Sequence, residues 1–126
     1  MTKLGIKKIE YRPLGSDESA WAQLKNVSLS ATLSEEWSED PAGKISTVTV
    51  KCEIRNSNQA GDKILRHLKD RYYQYRVTDM NDKQYIIGNE DYIPVFLFSR
   101  TIGSLKVNGY TVNITYKSPD GITPNI

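Results

Sequence analysis

Val27-Ser-Leu-Ser-Ala-Thr-Leu33 places apolar residues at 27, 29, 31 and 33 with Ser or Thr between them, the period-two pattern of a strand with one buried face. Thr47-Val-Thr-Val-Lys-Cys-Glu-Ile54 repeats the pattern with Val48, Val50, Cys52 and Ile54. Setting residue 33 against 48, and so 31 against 50 and 29 against 52, brings both apolar sets onto one face of an antiparallel pair. The stretch between them, Ser34-Glu-Glu-Trp-Ser-Glu-Asp-Pro-Ala-Gly-Lys44, is acidic and rich in turn formers. It is expected to be a projecting acidic loop over 34–44.

The same alternation recurs further along. Tyr72 to Ile87 reads as a hairpin over the three-residue turn Met80-Asn81-Asp82, with Asp79 facing Lys83, Val77 facing Tyr85 and Tyr75 facing Ile87. Asn108-Gly109 is a preferred two-residue hairpin turn, which would set Val107 against Tyr110, Leu105 against Val112 and Gly103 against Ile114. Pro94 marks the start or the edge of a strand between these hairpins. Only one segment has a helical period: Ala60, Ile64, Leu65 and Leu68 form a stripe with Lys63, Arg66, Lys69 and Arg71 off it, giving a short helix over about residues 58–71. Residues 118–126, with Pro119, Gly121 and Pro124, are expected to be a loosely ordered tail.

These elements define an α+β chain, mostly β: a compact antiparallel β-sandwich or open barrel of six to seven strands with one helix. The 126 residues form a single domain. Apolar residues make up 38% of the chain, below the roughly 45–50% of an ordinary globular protein. The core is therefore assembled from strands that are greasy on one side. With Lys and Arg at 17 and Asp and Glu at 15 the chain is nearly neutral, but its charge is unevenly placed, acidic over 16–43 and basic over 44–76.

Composition also limits the chemistry. One Cys excludes an internal disulfide, and one Cys with one His excludes a zinc site built mainly from those residues. Cys52 falls in the apolar set of a strand, the place of a buried, inert thiol. His67 sits on the helix beside Arg66, as an exposed surface histidine would. Asp79-Met-Asn-Asp-Lys83 starts like a calcium loop, yet Lys83 stands at a ligand position and no Gly follows it. No phosphate-cradling glycine loop occurs. The reading is of a chain that is not an enzyme and has no catalytic, cofactor-binding or metal site. An enzyme would need Asp79, Asp82, Glu90 and Asp91 to converge on a cleft.

The amino terminus has no apolar run of signal-peptide length and the sequence no membrane-spanning stretch, so cytoplasmic synthesis without membrane contact is expected. Lys63, Arg66, Lys69, Arg71 and Arg76, interleaved with Tyr72, Tyr73 and Tyr75, form a weak candidate anion patch. Alternation turns Tyr73 and Tyr75 inward with Val77, and nucleic-acid binding is not expected. Tyr85-Ile-Ile87 and Val95-Phe-Leu-Phe98 break the alternation, and apolar surface on both faces of a strand means either that the helix covers the second face or that it meets a second subunit. The candidate interface residues are Trp37, Glu35, Glu36, Ile86, Phe96 and Phe98.

The succession Val77-Thr-Asp-Met-Asn-Asp-Lys-Gln-Tyr-Ile-Ile-Gly-Asn89, then Pro94, then Gly103, then Asn108-Gly-Tyr-Thr-Val-Asn-Ile-Thr-Tyr116 with a trailing Pro resembles small structural proteins encoded in prophages of Bacteroides-type bacteria. The resemblance spans residues 45–119. It implies a non-enzymatic structural component of a phage or phage-derived particle, tail-associated and self-assembling, whose partners are copies of itself and other particle proteins and whose final location is the virion or particle. The alternative is a monomeric β-rich binding module using the 34–44 and 88–94 loops, with Trp37 and Tyr92 as contacts.

Overall fold

In the computed structural model the residues described are 2–14, 21–24, 31–41, 43–55, 59–70, 72–89, 91–101, 109–119 and 121–122. Among them run eight strands and one helix: β1 (Thr2–Pro13), β2 (Ala22–Gln23), β3 (Thr32–Asp40), β4 (Gly43–Arg55), α1 (Gln59–Asp70), β5 (Tyr73–Asp79), β6 (Gln84–Ile87), β7 (Val95–Thr101) and β8 (Gly109–Ser118). The strands form one antiparallel sheet in the order β6-β5-β1-β3-β4-β8-β7, with β2 added to β1. The mostly β class with one helix holds. Of the two forms expected, the sheet takes the open one: its end strands β6 and β7 do not pair.

The sheet nevertheless curls around a single core. Tyr75 of β5 stacks on Phe96 of β7, ring centroids 5.9 Å apart, although these strands lie near opposite ends of the order. Leu33, Val48, Val50, Val77, Ile87, Val112 and Ile114 are fully buried between them. The helix supplies Leu65 and Leu68 to this core and lies against β7. Its stripe is narrower than its sequence indicates, since Ile64 stays 42% exposed.

β1 adds a strand where charges obscure the alternation, and it joins the two parts of the sheet. Residues 2–5 pair with β3, and residues 6–13 pair with β5. Between Ile6 and Lys8 the register shifts, so that Lys7 is the extra residue of a β-bulge. The bulge changes which parity faces inward, and Ile6 and Ile9, an odd spacing, are both buried.

The β5–β6 hairpin has the expected register, with Tyr75 opposite Ile87 and Val77 opposite Tyr85. Asp82 takes the left-handed conformation, φ 64°, that ends a three-residue hairpin loop. Asp79 does not pair with the Lys83 ammonium. Its buried carboxylate accepts hydrogen bonds from the backbone N–H of Asn81 and Lys83, at 2.8 and 3.0 Å, and from the Tyr85 hydroxyl at 3.3 Å.

Three expectations are corrected. Segment 34–44 is a paired hairpin, continuous to Asp40↔Gly43 around a two-residue connection, and it is no loose loop. Leu33 consequently faces Val50, where the sequence reading set it against Val48. A slip of two residues keeps every side chain on its face, so alternation alone does not distinguish the registers. Secondly, β8 is flanked on both edges: Tyr110, Val112 and Ile114 face Ile54, Cys52 and Val50 of β4 on one side and Arg100, Phe98 and Phe96 of β7 on the other. Tyr110, Val112 and Ile114 thus have partners other than the expected Val107, Leu105 and Gly103; residues 102–108, on which the Asn108-Gly109 reading falls, lie outside the described residues. Thirdly, Ser118, Gly121 and Ile122 of the tail are docked. Ser118 is buried, its Oγ accepts from Gly121 N–H, and Ile122 packs on the core.

Candidate functional site

The outer face of β1, β5 and β6 is built in cross-strand rows, because directly opposed residues of antiparallel strands share a face. One row is Glu10, Arg76 and Ile86; the next is Arg12 with Gln74. Arg76 grips Glu10 with two hydrogen bonds of 2.9 Å. Those bonds hold the Glu10 carboxyl below its ordinary pKa against the opposing effect of burial, with the charges of Arg76 and Lys8 adding to the effect. Arg12 donates to Gln74 Oε1 at 2.9 Å, and Gln74 donates onward to the Gly88 carbonyl, also at 2.9 Å. Trp21 carries both guanidinium groups on its ring, Arg12 at 4.4 Å and Arg76 at 4.7 Å from the centroid. Arg76 is thus a structural ion-pair partner and leaves the candidate anion patch. Lys63, Arg66 and Lys69 are exposed on α1, with Lys69 3.2 Å from Asp70, and Arg71 lies outside the described residues.

The candidate interface residues are not brought together. Glu35 and Trp37 share the inner face of the β3–β4 hairpin beyond the core, where the tail meets both and leaves Trp37 49% exposed. Glu35 Oε2 accepts from Ser46 Oγ at 3.1 Å and from Ile122 N–H at 2.9 Å, while Gly121 lies under the Trp37 ring. Glu36 is exposed on the other face. Ile86 is half-buried opposite Arg76. Phe96 belongs to the core, and half-buried Phe98 packs edge-on against Tyr110 at 5.7 Å.

The outward apolar residues of β7 are the other parity, Val95 and Leu97, 53% and 57% exposed. Tyr92 and Ile93 extend the exposed surface into the connection from β6. The broken alternation of 95–98 signals a two-sided strand, but which parity faces the core is decided by β8, through Phe96↔Ile114 and Phe98↔Val112. Among the described residues β7 pairs on one edge only, at the end of the sheet. Its pairing from Val95 to Thr101 has no register shift, and residues 95–99 carry no charge.

Cys52 is buried, which pushes its thiol pKa up to about 12. His67 sets its ring edge-on to Tyr73 at 5.8 Å, beside an apolar recess of about 240 Å³ walled by Tyr11, Ile64 and Leu68. Asp79 is a turn anchor, Asp82 is held by Lys7 at 2.6 Å, and Asp91 is exposed; Glu90 lies outside the described residues. No three of the described His, Cys, Asp and Glu side chains are grouped to hold a metal ion. No helix among the described residues is long and apolar enough to cross a membrane. A second recess, about 390 Å³, lies over the β1–β5–β6 face and is lined by Lys7, Lys8, Gln23, Thr78, Asp82 and Gln84.

Compared with known protein families, with curated proteins and with solved structures, the chain matches none.

Proposed function

We propose that this protein is a non-enzymatic structural building block that associates with copies of itself through the edge of β7, and that its setting is a phage or phage-derived particle, tail-associated. The particle setting rests on the resemblance carried by residues 77–116. Self-association rests on one observation: β7 ends the sheet with Val95 and Leu97 facing outward and an edge that is regular throughout and carries no charge over residues 95–99. Protein edge strands are ordinarily protected by an inward-pointing charge, a bulge or a Pro within the strand. Residues 95–99 have none of these. Such an edge matches its own antiparallel copy, in which apolar side chains meet apolar side chains and no charges are opposed.

Light scattering across a concentration series tests this. Wild type is expected to gain mass as concentration rises, and a Val95→Lys/Leu97→Lys double variant to remain a monomer with an unchanged circular dichroism spectrum. A wild-type mass that stays monomeric at all concentrations overturns the proposal.

A further inference from the structure

The recess over β1, β5 and β6 differs from the neighbouring rows in one respect. Its floor is a third cross-strand row, Lys8 opposite Thr78 and Thr78 opposite Gln84. In the other two rows each charged or amide side chain of β1 and β5 is hydrogen-bonded to a row partner. In this row it is not. The Thr78 hydroxyl is buried and has no hydrogen-bond partner among the described residues. No hydrogen bond among those residues engages the side chain of Gln84, or that of Gln23 at the wall. Lys8 and Arg76 share the Glu10 carboxylate, Lys8 as an ion pair at 3.7 Å and Arg76 through two hydrogen bonds. Lys7 and Asp82 neutralise each other across the rim. Two cations on one carboxylate leave a net positive charge beside a hydroxyl and two carboxamides, around a space within the size range of small-molecule sites, roughly 300–1,000 Å³.

We propose that this recess binds a small polar molecule carrying one oxyanion group, a carboxylate or a phosphate. Lys8 supplies the charge, and Thr78, Gln23 and Gln84 supply hydrogen bonds. A buried polar group without a partner is costly, and a ligand oxygen at Thr78 removes that cost. The site is independent of the β7 edge, which lies at the other end of the sheet order.

The test is a titration of the isotope-labelled full chain, followed by amide chemical shifts, with sodium acetate in one arm, inorganic phosphate in a second and sodium chloride at matched ionic strength in a third. Saturable shifts at Lys8, Thr78 and Gln84 are expected in the acetate or the phosphate arm and not with chloride; the responding arm identifies the oxyanion. Lys8→Gln and Thr78→Val are each expected to weaken binding about tenfold or more while leaving distant amides unmoved. Shifts that never saturate, that chloride reproduces, or that persist unweakened in both variants overturn the site.

Discussion

Gly88→Ala is the substitution whose cost is most directly worked from the geometry. Gly88 follows β6 with φ 102°, a conformation L side chains rarely adopt, and the added Cβ falls 2.6 Å from Pro94 Cδ and 2.8 Å from Pro94 Cγ. The backbone contribution is about 1–2 kcal/mol. The clash adds about 1–3 kcal/mol, because Pro94 is buried and its ring cannot rotate away. The sum is about 2–5 kcal/mol. Gly43→Ala is the internal control: its φ is 127°, but no atom lies within 4 Å of the new Cβ, so only the backbone contribution of about 1–2 kcal/mol remains. Urea unfolding of the two variants and wild type, at constant m, measures both losses. The excess of Gly88→Ala over Gly43→Ala is the Gly88–Pro94 contact, which packs the connection between the two end strands. A Gly88→Ala variant no less stable than Gly43→Ala refutes the reasoning.

Glu10→Gln is expected to cost about 1.5–3 kcal/mol near neutral pH, the worth of hydrogen bonds to a charged partner. The native Glu10 pKa lies below its ordinary 4.5, so its contribution is complete above that value and disappears as pH falls through the lower native one; the stability gap between wild type and variant should close in acid urea titrations. Cys52, with its pKa pushed up to about 12, is expected to resist iodoacetamide in the native chain near pH 8 and to react only on unfolding, as mass spectrometry would read. Gly121→Ala places a Cβ 2.5 Å from Glu35 Oε2 and 2.8 Å from Trp37 Cζ2, so the tail should release and exchange of the Ile122 amide hydrogen should accelerate.

Elements set by local signals were legible in the sequence. The β5–β6 hairpin is complete in its own residues, apolar at 75, 77, 85 and 87 with Asp79 closing the turn, and its register follows from them. The helix is the one stretch with a period near 3.6, and it forms at Gln59–Asp70. What escaped was decided at a distance. β1 hides behind a bulge, which moves its buried residues from Ile6 to the opposite parity at Ile9. The Asn108-Gly109 signal is local and does not report the pairing of Phe96 and Phe98 with β8, which is made over a longer span of chain. That pairing also selected which half of the two-sided 95–98 stretch is exposed, and so moved the candidate interface from Phe96 and Phe98 to Val95 and Leu97. The Glu10–Arg76 pair and the Lys8–Thr78–Gln84 row join residues more than sixty positions apart in β1 and β5, and no spacing motif reports them.

The β7 edge is tested most directly by amide hydrogen exchange of residues 95–99 at low and high protein concentration. If copies pair through this edge, the outward-pointing amides of β7 become protected as concentration rises, while those of the covered strand β4 do not change. Exchange in β7 that is independent of concentration, in a sample whose mass stays monomeric, would contradict the account.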